Sequence, residues 1–250
     1  MTDIDYTKRK IEAHNLYSSH LSEERTVKVY LPPEYNPNRL YPVMYCHDGL
    51  EFFTHGRIAT LANQLIAEGR LSPIVIVGIA VQKSTRTEDY SVDGSRHEAY
   101  RRFVLDECVP LVESHYAVGR TPEMRLMAGI SLGAAATLSI YLNHPDKFNQ
   151  LVLFSGAFYE NVRALVKERS SLSDLSAYMV VGEQETAVEI SSGLYDFYRA
   201  NQVMRDLLRI RGAKVRYEEA PGTHIWGFWQ RQIPNALEWV NTQLHDAQLR

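Results

Sequence analysis

Short, unbroken apolar runs recur along this chain, most of them followed by a helical stretch, and few architectures satisfy that pattern. Residues 41–46, 74–80, 151–154 and 178–181 are such runs, with Val, Ile and Tyr prominent in the first two, and 124–128 and 215–218, interrupted by charged residues, are read with them. A strand that faces water on one side alternates polar and apolar, as 25–31 does, whereas a strand buried on both faces reads as a continuous apolar run. Helical stretches at 58–68, 98–116, 132–143, 193–211 and 231–245 separate most of them. Strands alternating with helices call for a mostly parallel sheet with helices on both faces, hence an α/β fold. There is no internal repeat and no low-complexity linker, so the reading is a single domain over 1–250.

Composition narrows the function classes. The 27 basic and 30 acidic residues leave a net charge of −3, which provides no positive field for nucleic acid or an anionic membrane. The longest apolar run, 74–81, is far too short to span a bilayer. The opening stretch MTDIDYTKRKIEAHN lacks the apolar core of a secretory peptide, and Cys46 and Cys108 make no disulfide framework. The expectation is a soluble, cytoplasmic protein with reduced thiols.

One pentapeptide carries chemistry. Gly129-Ile130-Ser131-Leu132-Gly133 has the form G-x-S-x-G, which chance places in about one chain in ten of this length. Its context is what matters: it follows the strand 124–128 and opens the helix 132–143. A serine on so tight a strand-to-helix turn projects its hydroxyl above the sheet, and flanking glycines remove Cβ atoms that would clash. The N–H of Leu132, at the helix start, then faces a developing oxyanion. A second donor is expected after an early strand, where Cys46-His47-Asp48-Gly49-Leu50 turns sharply and frees the N–H of Leu50. No further ligand stands at metal spacing from His47 and Asp48, so they are read as shaping that loop.

A serine needs a base. Of nine histidines, His224 stands out, because its loop Pro221-Gly222-Thr223-His224 follows the last strand and returns to the carboxyl edge where Ser131 sits. His144 and His115 lie at helix ends, and His14, His20, His55, His97 and His245 default to solvated surface. The acid that orients the base falls between Ser131 and His224 in chain order. The loop Gly182-Glu183-Gln184-Glu185 presents two glutamates there, and spacing leaves Glu183 and Glu185 open. Asp174 and Asp196 read as a cap or a solvated charge. The polar segment 82–97, long and without helical periodicity, leaves the same sheet edge and is expected to border the site.

From about Arg25 to the last helix the chain resembles the putative-esterase family of α/β-hydrolases, which includes enterochelin-type esterases, feruloyl esterases and mycolyltransferases. Tyr45-Cys46-His47-Asp48-Gly49-Leu50 is similar to the family's Y-L-x-D-G-x turn, and Gly129 to Gly133 to its nucleophile elbow. Arg86-Thr87-Glu88-Asp89-Tyr90-Ser91 resembles its R-x-x-D-Y-T segment near the substrate cleft. His144-Pro145-Asp146-Lys147-Phe148 with Phe154-Ser155-Gly156 matches its H-P-x-x-F…S-G pair. Gly222-Thr223-His224-Ile225-Trp226 resembles G-G-H-D-W, with Thr223 and Ile225 departing from it. The resemblance implies an α/β-hydrolase fold with Ser131 as nucleophile and His224 as base. It also implies Leu50 and Leu132 as oxyanion donors and, from G-x-x-D/E, favours Glu185 over Glu183. Arg86, Tyr90 and Trp226 are the expected substrate-binding residues.

The expected chemistry is two-step transfer of an acyl group from a small-molecule ester to water, with no metal and no organic cofactor. Only 157–176 separates two strands where many relatives of this fold insert a cap, so no large cap domain is expected. An open pocket suits a short-acyl or small polar ester, and a siderophore trilactone fits the same description. An acyltransferase or peptidase would use the same three residues. A non-catalytic binding module would have no need of all three. Cys46, inside an apolar strand, reads as an inert thiol.

Overall fold

The computed structural model describes residues 8–248, with side chains through residue 245. The first seven residues, part of the stretch read as free of a secretory signal, lie outside the described residues.

An eight-stranded sheet runs in the order β1-β2-β4-β3-β5-β6-β7-β10. Its strands are β1 (Lys10–Ser18), β2 (Glu23–Leu31), β3 (Val43–Cys46), β4 (Val75–Ile79), β5 (Arg125–Ile130), β6 (Gln150–Phe154), β7 (Ser176–Gly182) and β10 (Lys214–Ala220). β2 pairs antiparallel with β1 and β4, and every other pairing in the sheet is parallel. A small hairpin of β8 (Val188–Ile190) and β9 (Gly193–Tyr195) stands apart.

The apolar runs of the central strands have the structural cause anticipated for them, whereas 215–218, read with them, carries Arg216 and Glu218 and forms the half-exposed edge strand β10. Val43 and Tyr45, Val75 and Val77, and Leu151 and Leu153 face one hydrophobic core, whereas Met44 and Cys46, Ile76, and Val152 and Phe154 face another. The first core is closed by α4 (His97–Arg102), α5 (Val109–His115), α6 (Leu132–Asn143), α7 (Glu160–Lys167) and α8 (Phe197–Ile210). The second is closed by α1 (Gly49–Thr54), α2 (Ile58–Ala67) and α9 (Trp226–Gln248). Both faces of the central strands are therefore dry, and alternation has nothing to act on. Between β6 and β7 the chain builds only the eight-residue α7, so no large cap covers the carboxyl edge.

Several elements differ from the sequence reading. β1 pairs along its whole length with β2 as an edge strand, and its alternating burial is too weak in apolar residues to announce itself. The stretch expected as one helix over 193–211 begins as β9. α8 starts only at Phe197, after Asp196 accepts the N–H of Arg199 at 2.7 Å and caps it. α9 starts at Trp226, five residues earlier than expected, and carries Pro234 within it. The segment 82–97 holds a one-turn helix, α3 (Arg86–Tyr90). The helical stretch beginning at His97 passes through a π turn at Phe103–Cys108 just ahead of Pro110, whose missing N–H cannot close an ordinary turn.

α3 is tied to the antiparallel strands by buried charge. The Asp89 carboxylate, fully buried, accepts from Arg25 Nη2 at 2.5 Å and from Arg96 Nε at 2.7 Å. Glu23 completes the network with Arg25 at 2.8 Å and Arg96 at 2.7 Å. Arg96, inside the polar segment 82–97, is thus committed to the fold. Removing one partner of a buried pair strands the other charge, so Asp89→Ala is expected to lower unfolding free energy by about 3–5 kcal/mol. Glu160→Ala, which breaks only exposed pairs, is expected to change it by less than about 1 kcal/mol in the same urea titration.

Candidate active site

Ser131 stands between β5 and α6 with φ 55° and ψ −120°, a conformation few non-glycine residues adopt. The surroundings hold it there. Its N–H donates to Phe154 O at 2.9 Å, and its carbonyl accepts from Ala134 at 3.1 Å and Ala157 at 2.9 Å. A Cβ on Gly129 would lie 2.2 Å from the Gly133 carbonyl oxygen, so strand and helix approach closely only because residue 129 has none. Ala134, Ala135 and Ala136 are fully buried behind the turn. The result is a half-exposed serine hydroxyl at the carboxyl edge of the sheet.

The loop after β10 brings His224 to it, with Nε2 at 3.0 Å from Ser131 Oγ. On the other side of the ring, Nδ1 lies 2.6 Å from Glu185 Oε2. The carboxylate therefore accepts a hydrogen bond from the Nδ1–H, which leaves Nε2 as the acceptor for the serine hydroxyl. Aromatic rings grip the imidazole: Phe197 lies tilted over it at 4.0 Å between centroids, and Trp229 meets it edge-on at 4.9 Å. Of the two glutamates left open by spacing, Glu185 is fully buried against His224, whereas Glu183 points to solvent. Asp196 caps α8, and Asp174 accepts from Tyr141 Oη at 2.9 Å.

β3 lies beside β5, so the turn after β3 abuts the first turn of α6. Asp48 takes a left-handed φ of 53° and precedes α1. Leu50 is the second residue of α1 and Leu132 the first of α6, so the N–H of each is among those a helix leaves without an internal partner. The Asp48 carboxylate is held bidentately by Arg86, Nε to Oδ1 and Nη2 to Oδ2, both at 2.7 Å. The Asp48 N–H donates to Tyr90 Oη at 2.9 Å, and the Arg86 guanidinium lies 5.0 Å from the Tyr90 ring centroid. Tyr90, expected against substrate, is fully buried beneath this loop, and that burial denies it direct contact with a ligand. Trp226 is half-buried and packs on Phe52 and His55 beside Trp229.

Two other groups are now placed. His97, expected at the surface, is buried between Ser139 Oγ at 2.8 Å and the Asp89 carbonyl at 3.0 Å. Cys46 and Cys108 are buried free thiols, and burial raises both, Cys108 to about 12. Among the described residues no cluster of three or more His, Cys, Asp or Glu side chains forms a metal-binding group, and no helix is long and apolar enough to cross a membrane. A cavity of about 1150 Å³ opens on the opposite, amino edge of the sheet, lined by Pro42, Pro73, Met124 and Trp239, and includes none of Ser131, His224 or Glu185.

Residues 18–240 match the family model described as "Putative esterase". The chain belongs to the putative esterase family. A Bacillus subtilis (strain 168) relative, uncharacterized protein YjcH, is 30% identical over 230 residues, covering 91% of this chain and 96% of its own. An acetyl esterase from Caldicellulosiruptor saccharolyticus is 23% identical over 257 residues, covering 91% and 96%. Among solved structures, a ferulic acid esterase superposes with a TM-score of 0.82 at 20% identity, covering 95% of this chain and 99% of that one. The fold is thus that of the α/β-hydrolase esterases, and family membership supports carboxylic-ester hydrolysis as the activity.

His47, behind the Asp48 loop, is fully buried with Nδ1 2.7 Å from Tyr100 Oη. Burial, helped by the nearby charges of His97 and Arg86, pushes it down to about 3. An unfolded histidine titrates near 6.5, so below that pH the unfolded chain binds a proton that the native state refuses. The contribution of His47 is therefore present above about pH 6.5 and is lost as pH falls toward about 3. Between pH 7 and pH 4.5, wild type is expected to lose about 2 kcal/mol more unfolding free energy than His47→Gln, measured by urea titration at each pH.

Proposed function

We propose that this esterase is a serine hydrolase that cleaves a short-acyl or small polar carboxylic ester through an acyl-enzyme. The observation that carries the reading is the unbroken line from Glu185 Oε2 to His224 Nδ1 at 2.6 Å and from His224 Nε2 to Ser131 Oγ at 3.0 Å. Ser131 Oγ attacks the ester carbonyl as its proton passes to His224 Nε2. The carbonyl oxygen gains negative charge, which the N–H groups of Leu50 and Leu132 receive. As the tetrahedral carbon collapses, His224 returns the proton to the departing alcohol, leaving the acyl group on Ser131. Water then attacks the acyl carbon with His224 again taking a proton, and the acid leaves as the Ser131 hydroxyl re-forms. Glu185 keeps the imidazole in the required tautomer and stabilises its protonated form.

Substrate size follows from what surrounds Ser131. The serine is half-exposed, no large cap overlies it, and the curated acetyl esterase relative shares almost its full length with this chain. Arg86, through Asp48, sets the loop that carries Leu50, and Trp226 walls the opposite side beside His55 and Phe52. Two unpaired buried thiols suit a protein working in the reducing cytoplasm.

Intact-mass spectrometry after treatment with a fluorophosphonate tests the nucleophile directly. Wild type is expected to gain one phosphonyl adduct and Ser131→Ala none. The same variant is expected to lose more than about a thousandfold in kcat toward p-nitrophenyl acetate while keeping its circular-dichroism spectrum. A folded wild-type protein that takes no adduct would refute the assignment.

A further inference from the structure

Ser155 closes β6 and is neither nucleophile, base nor acid, yet it is built into the same line of polar contacts. It is a fully buried serine at φ 44°, with Asp48 and Ser131 one of three non-glycine residues at positive φ around the site. Its Oγ lies 2.8 Å from Trp229 Nε1 and 2.7 Å from Glu185 Oε1. The direction of both hydrogen bonds is forced. An indole N–H can only donate, so Ser155 Oγ accepts from Trp229 and its single proton has one place to go, Glu185 Oε1. That oxygen also accepts the Gly182 N–H at 2.8 Å, which leaves Oε2 for His224.

The terminal torsion of a glutamate is broad and roughly two-fold, and nothing covalent fixes which oxygen faces the imidazole. Gly182 alone would hold one oxygen through a single bond and let the carboxylate pivot about it. The Ser155 hydroxyl supplies the second bond that stops the pivot, and Trp229, whose ring also flanks His224, stops the hydroxyl from rotating away. The backbone leaves no easy alternative: the Ser155 N–H is engaged with Val180 O at 2.8 Å, and the next strand therefore sets the side chain's position.

We propose that Ser155, clamped by Trp229, is a positioning residue for ester hydrolysis, acting by locking the Glu185 carboxylate in the orientation that aligns His224 with Ser131. This deepens the serine-hydrolase reading and rests on it.

Glycine is the informative replacement, because it deletes the hydroxyl while relieving the positive φ that serine tolerates poorly. Wild type, Ser131→Ala, Ser155→Gly, Trp229→Phe and the double variant Ser155→Gly/Trp229→Phe are assayed with p-nitrophenyl acetate, and rates are divided by the sites that fluorophosphonate titrates at saturation. Ser131→Ala, which has no titratable site, is read as rate per mole of protein. The expected result is a silent Ser131→Ala and a Ser155→Gly whose kcat per site falls about tenfold, as for loss of a hydrogen bond to a charged group, with KM within about twofold. Trp229→Phe, which leaves the hydroxyl present but free to turn, is expected to lose less. The double variant is expected to be no slower than Ser155→Gly, since both changes cut one chain. A merely structural role would lower the number of titratable sites and leave the rate at each site unchanged. That outcome, or losses that multiply in the double variant, overturns the proposal for Ser155 while the serine-hydrolase reading stands. If Ser131→Ala keeps wild-type activity, that reading fails and the role of Ser155 fails with it.

Discussion

A serine held at φ 55° on the turn between a strand and a helix is the constraint around which the carboxyl edge of this molecule is built. Such a backbone costs on the order of 1–3 kcal/mol and persists only where its neighbours leave no other choice. Here the N–H is claimed by β6, the carbonyl by three amides, and the space beside Gly129 by the Gly133 carbonyl. Relaxing the turn would break those hydrogen bonds in a site from which water is excluded on the inner side. The strain therefore serves the hydroxyl's exposure, and three alanines buried at the start of α6 let the helix sit close enough to impose it.

Charge does for the surrounding loops what packing does for the turn. Asp48 and Arg86 lock the turn after β3 to α3, and the Arg25–Asp89–Arg96–Glu23 network locks α3 to β2. Each carboxylate in these contacts meets a guanidinium with directional N–H donors, so the pairs fix orientation as well as distance. A long polar segment that composition alone would describe as free loop is consequently pinned at both ends. Its residues reach the site at one remove: Tyr90 holds the backbone N–H of Asp48 and Arg86 its carboxylate, two residues from the Leu50 N–H.

How much of this was legible follows from which signals are local. The central strands were readable because two-sided burial writes continuous apolar runs, and α6 because helical period and the G-x-S-x-G turn coincide. Ser131 and His224 were readable because each lies in a loop whose place at the sheet edge follows from strand order. β1 was not, since an edge strand with KIEAHNLYS carries little apolar weight, and its pairing with β2 is a tertiary fact. His97 misled for a related reason: a polar segment gives no hint that Ser139, over forty residues later, will bury one of its histidines. Glu183 and Glu185 differ by two residues, and only the turn that points one inward and the other out distinguishes them. Ser155 appeared in a quoted motif without a role, because its partners come from the loop after β7 and from α9.

The three residues in line are separated by 93 positions between Ser131 and His224 and by 39 between Glu185 and His224. Their alignment is therefore a property of the sheet. Ser131 leaves β5, Ser155 β6, Glu185 β7 and His224 β10, four strands that are consecutive neighbours in parallel register. Shifting β5, β6 or β7 by a single residue would exchange its two faces, driving apolar side chains of one core into the other, and such a shift in any of the four moves its carboxyl end along the strand axis by about 3.3 Å. That displacement exceeds the whole length of the hydrogen bond it would have to preserve. The dry cores on the two faces of the sheet thus set the distances at its edge, and the site inherits its geometry from strand register as well as from the rings that touch it.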